Sequence, residues 1–190
     1  MAIKLSDHFT YRKLLRFTLP SITMMIFTSV YSVVDGLFVS NLIGENALSA
    51  VNIMFPVAMI IGAAGFMLGA GGSAIVARTM GEGKQELANR YFTMIILCVL
   101  GRGLTLSAAS LFFVEPLARL VGASDLLMED CLAYGSVVLG GSFVFMLQIS
   151  FQTFFVTAEL PKIGLFFSLA SGVTNITLDY LFMGPLNMGI

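Results

Sequence analysis

Charge is what this chain of 190 residues has least of. Its 10 Lys and Arg and 11 Asp and Glu amount to 11% of the residues, against about 25% in soluble domains. With 57% hydrophobic residues and a mean hydropathy of +0.93, a water-soluble fold is excluded. There is no basic excess either: the net charge is −1, and the basic residues do not gather into one binding face, which removes nucleic acid as a partner. Histidine occurs once and cysteine twice, at Cys98 and Cys131, with no C-x-x-C pair, so neither a zinc site nor a disulfide framework is indicated. Both thiols read as buried or lipid-facing.

Long apolar runs take the place of charge. Five occur, at 17–40, 51–77, 92–114, 131–157 and 163–184, each near or above the roughly 20 residues a spanning helix needs. The basic start, Met1 to Arg16, resembles the head of a secretory signal, but the run behind it is too long for one, contains Asp35 and reads as an uncleaved first span. Lys4, Arg12, Lys13 and Arg16 precede span one, Arg78, Lys84 and Arg90 join spans two and three, and Lys162 joins four and five. The opposite connections, 41–50 and 115–130, hold only Arg119 as a basic residue. The positive-inside rule therefore predicts an all-α polytopic membrane protein with a cytoplasmic amino terminus, its partner the lipid bilayer. Five crossings leave Ile190 outside, just after the turn Gly184 to Gly189, so the expectation is a piece whose sixth helix is missing or supplied elsewhere.

Span two carries Gly62, Gly65, Gly69, Gly71 and Gly72, with Ala at 58, 63, 64, 70 and 74. In lipid such residues let helices approach closely, and packing replaces the hydrophobic effect as the force of association. Gly69-Ala70-Gly71-Gly72-Ser73-Ala74 also matches the G-x-G-x-x-A of dinucleotide-binding turns. That motif needs a strand before it and a soluble βαβ unit around it, so here the match is spurious. Gly81 to Lys84 is no phosphate loop, since Arg78 stands where the first glycine belongs and Gln85 where Ser or Thr should follow.

Two carboxylates lie inside these spans, Asp35 in the first and Asp179 in the fifth. Each costs about 2.5–3.5 kcal/mol at membrane depth on insertion scales and so points to ion or proton movement, with hydrogen-bonded structure or exposure to water at a helix end as the alternative, most of all for Asp35 beside its loop. At 3.6 residues per turn, Ser168, Ser171, Asn175 and Asp179 share one arc of helix five, and Ser21, Met24, Thr28, Tyr31, Ser32 and Asp35 one face of helix one. Both helices run from inside to outside, with the aspartates about five residues before their outer ends, so Asp35, Asn175 and Asp179 are expected at one depth, facing a bundle interior. Two such carboxylates repel when both are ionised, so a proton can bind and leave. The same oxygens with the Asn175 carbonyl also suit a hard cation such as Na⁺, and the residues do not choose between the two. Pro20, about four turns below Asp35, reads either as an entry kink or as a hinge that protonation of Asp35 would bend.

These residues resemble a known family, the multidrug and toxic compound extrusion (MATE) transporters. The resemblance lies in Leu19-Pro20-Ser21 with Tyr31-Ser32-Val33-Val34-Asp35, in Ala77 to Ala88 as the link between helices two and three, and in the Asn-x-x-x-Asp of Asn175 and Asp179. It covers essentially the whole chain. It implies twelve helices in two six-helix lobes, of which 1–190 supplies five of the first, with the sixth helix and the second lobe absent. It further implies export of amphipathic, often cationic compounds from a bacterial-type inner membrane in exchange for H⁺ or Na⁺, with no organic cofactor and no enzymatic step. Asp35, Asn175 and Asp179 would be the ion-coupling site, Na⁺ included, and Pro20 the bend of the first helix. Met24, Thr28, Tyr31, Ser32, Gln148, Gln152, Ser168 and Ser171 are candidates for the substrate cavity, with ordinary interhelical packing as the alternative for each.

Arg102, between Gly101 and Gly103 in span three, departs from that pattern: pairing with an acid, snorkelling and a damaged helix remain open. Three rival readings stand beside transport. An intramembrane aspartyl protease would want Tyr-Asp and Gly-x-Gly-Asp, whereas the sequence has Val34-Asp35-Gly36 and Leu178-Asp179-Tyr180. A flippase for lipid-linked sugars would want a more basic cavity. A nonfunctional, truncated membrane piece is the third.

Overall fold

A computed structural model describes residues 10–186, so Lys4, Ile190 and the end of the Gly184–Gly189 turn lie outside the described residues. The chain rises through α1 (Tyr11–Phe38), closes it with a π-helical turn (Val39–Ile43), and descends in α2 (Glu45–Gly81). It rises again in α3 (Gln85–Phe112), crosses the top in α4 (Val114–Leu120), descends through α5 (Met128–Gly140) and α6 (Ser142–Thr157), and rises in α7 (Pro161–Met183). "Upper" below denotes the end that carries Gly44 and α4. Among the described residues four helices are long and apolar enough to cross a membrane, and the pair α5 and α6 makes a fifth span if counted together. Helices are the expected solution, because in hydrocarbon every backbone group must be satisfied within its own segment.

The helices extend beyond the apolar runs. α2 begins at Glu45 rather than 51, with that acid in its first turn, where the helix dipole favours it, so most of the expected loop 41–50 is helical. Its 37 residues reach about 55 Å at 1.5 Å per residue, roughly 25 Å more than the hydrocarbon layer, so α2 tilts or projects. Gly44, at φ 135°, makes the reversal from the π-turn into α2, a backbone conformation that side-chain-bearing residues rarely adopt. At the lower link, Arg78 and Lys84 both reach the Glu82 carboxylate, at 3.3 and 2.8 Å. The Lys84 hydrogen bond does most to hold that carboxyl below its ordinary range.

The expected single helix 131–157 is instead two, bent by 50° at Gly141. The break frees backbone groups that lipid cannot satisfy, and serines take them over. Ser142 Oγ donates to the Leu139 carbonyl at 2.7 Å, and the Phe143 N–H donates across to Ser107 Oγ of α3 at 3.0 Å. The two hydroxyls meet at 2.8 Å, and since Ser142 has spent its proton on Leu139, Ser107 donates to it.

α2 is the hub, packed on α6, α3 and α5. Its seam with α6 is made of glycine: a Cβ at Gly65 would stand 2.7 Å from the Met146 Cα, and one at Gly69 2.8 Å from the Ser150 Cα. Ser150 Oγ crosses the seam to the Gly65 carbonyl at 3.0 Å. Gly62 and Gly72 are likewise filled, by Phe145 and Ile95, whereas Gly71 faces open space. An upper cluster (Ala50, Met54, Val57, Val114, Ala118, Met128, Cys131, Leu139) and a lower one (Val76, Ala88, Phe154) complete the interior. α1 stands apart from this hub and packs chiefly along α7.

Candidate ion and ligand site

The α1–α7 seam follows from residue size. Gly172 leaves a hollow into which the rings of Phe27 and Tyr31 fit, since a Cβ there would lie 2.6 Å from Phe27 and 3.1 Å from Tyr31. Higher up, Phe38 meets Tyr180 with ring centroids 6.2 Å apart. Contacts that climb both helices together mean that α1 and α7 run parallel, as the first and fifth crossings of one bundle must. Between these two ring contacts Asp35 and Asp179 meet, their side chains within hydrogen-bonding reach of each other.

Asn175, one turn below Asp179, donates from Nδ2 to Asp179 Oδ1 at 3.4 Å. The other oxygen, Oδ2, is buried and has no hydrogen-bond partner. An orphaned carboxylate oxygen next to a second carboxylate is chemically unfinished: a proton or a small cation completes it. Tyr31 and Tyr134 both lie within electrostatic range of Asp35, so α5 also borders the site. Among the described residues no three of His, Cys, Asp and Glu gather as a metal site, and the third member here is an amide.

Below the aspartates α1 and α7 face α2, α5 and α6 across a cavity of about 630 Å³, within the range of drug-sized sites. Met24, Thr28, Tyr31, Ser32, Gln148, Gln152, Ser168 and Ser171 all line it. So do residues that sequence reasoning passed over: Phe55, Ala58 and Met59 of α2, Tyr134 and Val138 of α5, and Phe145. Tyr134, a phenol inside an apolar run, is the one of these that carried a readable signal. The lining has hydroxyls, amides, thioethers and rings, and no Lys, Arg, His, Asp or Glu. Pro20 lies below the cavity and α1 passes through it unbroken.

The family model MatE matches residues 20–181. The chain belongs to the MatE family. A curated MatE-like relative, the FAD transporter of Shewanella oneidensis, is 30% identical over 173 residues, which is 90% of this chain and 37% of that protein. The multidrug export protein MepA of Staphylococcus saprophyticus is 23% identical over 95% of this chain and 40% of its own length. A structure solved as the outward-facing conformation of a multidrug resistance MATE family transporter superimposes with a TM-score of 0.84 at 27% identity, covering 92% of this chain and 39% of that one. The chain thus spans about two-fifths of the length of the MatE proteins it matches. These relatives are integral membrane transporters rather than enzymes.

Proposed function

We propose that the chain forms the ion-coupled part of a secondary transporter that exports amphipathic compounds, with Asp35, Asn175 and Asp179 as the coupling site and the cavity beneath as part of the ligand path. The observation that carries this reading is the buried, unpartnered Oδ2 of Asp179 beside Asp35. With one proton between the two carboxyls, one donates to the other and the upper ends of α1 and α7 are drawn together. With none, like charges at this distance repel and the seam opens. Because α1 is held chiefly by α7 and by its π-turn, that opening changes the width of the cavity they wall. Pro20 lacks the N–H that would tie it to the Arg16 carbonyl, which makes it the place where the lower part of α1 yields.

Na⁺ is the other coupling ion the site suits. It would take one oxygen from each aspartate and the Asn175 carbonyl, which requires the Asn175 amide to turn from the orientation in which Nδ2 faces Asp179. A lining without fixed charge favours neutral amphipaths, and the Asp35–Asp179 pair above it weighs against an anionic dinucleotide such as the cargo named for the Shewanella relative. Orientation with the amino terminus in the cytoplasm of a bacterial-type inner membrane follows from the basic links at Arg78–Arg90 and Lys162.

The test is dye efflux from membrane vesicles under an imposed H⁺ or Na⁺ gradient, with Asp35→Asn and Asp179→Asn beside the wild type. Gradient-driven efflux is expected to fall at least tenfold in either variant, and the ion whose gradient drives the wild type identifies the coupling. Efflux unchanged in both variants would remove the site.

A further inference from the structure

Among the described residues, Arg102 is the one basic side chain placed in the middle of a span. It sits on the outward face of α3, exposed, and none of the ion pairs among the described residues includes it. Its depth decides what can satisfy it. Arg90 marks the lower boundary of the span, 12 residues below, and Phe112 ends α3 ten residues above, so Arg102 lies about 18 Å from one boundary and about 15 Å from the other. An extended arginine side chain reaches about 6–7 Å, too short to bring the guanidinium to phosphate headgroups on either side. A lone cation at the midplane is costly by any scale, and residues of this kind face protein or water and pair with an acidic side chain or with backbone carbonyls.

The surroundings are shaped for a close neighbour. Gly101 presents open space where a Cβ would be, and Cys98, Thr105 and Ala108 on adjoining turns are small and exposed. A second copy of this chain does not supply the counter-charge. Apposed α3 faces would set Arg102 against Arg102, and the chain's own intramembrane carboxylates, Asp35 and Asp179, are turned toward each other on the α1–α7 seam.

We propose that the outward face of α3 is not a lipid face but a docking surface for another transmembrane helix, one that carries an Asp or Glu at the bilayer midplane to pair with Arg102. Small residues on both sides of the arginine allow the two backbones to approach, and the guanidinium takes the carboxylate in a two-pronged hydrogen bond that lysine reproduces only in part.

Two measurements test this. In native-lipid nanodiscs cut from expressing membranes without detergent, the chain is expected in particles heavier than one copy. Arg102→Leu should return it to single-copy mass, and Arg102→Lys should retain part of the assembly. In vesicles, a polyleucine helix with one central Glu is expected to associate with the dye-labelled chain at least tenfold more strongly than an all-leucine helix or one with the Glu moved near its end. Arg102→Leu should erase that preference. Single-copy particles for the wild type, particles holding two copies of this chain alone, assembly mass indifferent to Arg102→Leu, or equal binding of the three peptides would each overturn the proposal.

Discussion

Replacing Gly65 by alanine probes the α2–α6 seam with one added methyl. That Cβ would stand 2.7 Å from the Met146 Cα and 3.0 Å from its carbonyl oxygen. Both are backbone atoms, so no side chain can turn aside and α6 as a whole must retreat. Overpacking of this kind costs about 1–3 kcal/mol. The retreat also stretches the 3.0 Å bond from Ser150 to the Gly65 carbonyl, an interhelical bond in membrane worth about 0.6–1.7 kcal/mol. Alanine gains up to about 1 kcal/mol of helix propensity over glycine, which blurs the single variant. Gly71→Ala carries the same gain with no heavy atom within 4 Å, so the difference between the two variants isolates the seam. Gly65→Ala should be the less stable by about 2–4 kcal/mol. Thermal unfolding in detergent, followed by a thiol-reactive dye, reads this directly: Cys131 is buried and reports unfolding, and Cys98, which is exposed, is first changed to Ser. Equal stability of the two variants, or Gly71→Ala as the worse, would refute the close-packed seam.

Ser107→Ala should cost about 1–3 kcal/mol in the same assay, because the Phe143 N–H loses its acceptor where the α5–α6 bend leaves no replacement; a change within error would mean that the bend is satisfied otherwise. Asp35→Cys with Asp179→Cys should cross-link rapidly through a short bifunctional reagent, and adding Gly172→Leu, which pushes Phe27 and Tyr31 off α7, should slow it several-fold, as read on a gel. The Glu82 carboxyl, held below its ordinary 4.5 by Lys84 and Arg78, contributes fully above that pH. Its contribution is lost as the pH falls through the lowered value. Amide exchange at Glu82–Gln85, compared at pH 6 and well below pH 4, should accelerate beyond the intrinsic pH effect, and Glu82→Gln should abolish the difference.

The spans and the two polar stripes were legible because lipid writes a simple rule into sequence: apolar length for crossing, and polar spacing of three to four for the face that avoids lipid. That rule picked out Asp35, Asn175 and Asp179, and with them Thr28, Tyr31, Ser32, Gln148, Gln152, Ser168 and Ser171, while Phe145 of α6 went unread. The bend at Gly141 was not legible, since Gly140-Gly141-Ser142 sits in an unbroken apolar run and its hydrogen-bond rescue comes from Ser107, far off in sequence. The α2 wall of the cavity escaped for a related reason. Phe55, Ala58 and Met59 look like the packing residues around them, and only the tertiary fold sets them across a cavity from α1 and α7. Within the glycine run, composition alone did not separate Gly65 and Gly69, which touch α6, from Gly71, which touches nothing.

The dependence of α1 on α7 has a consequence for how the molecule is made. Roughly 140 residues separate Asp35 from Asp179, so at about 5–20 residues per second the earlier helix waits on the order of ten seconds or more for the neighbour that shelters its acid. Until then it enters the bilayer with a polar group unmatched and little else to hold it. Shortened chains that stop before Pro161 should therefore lose α1 from the membrane first, and biogenesis is a race between insertion of α1 and synthesis of α7.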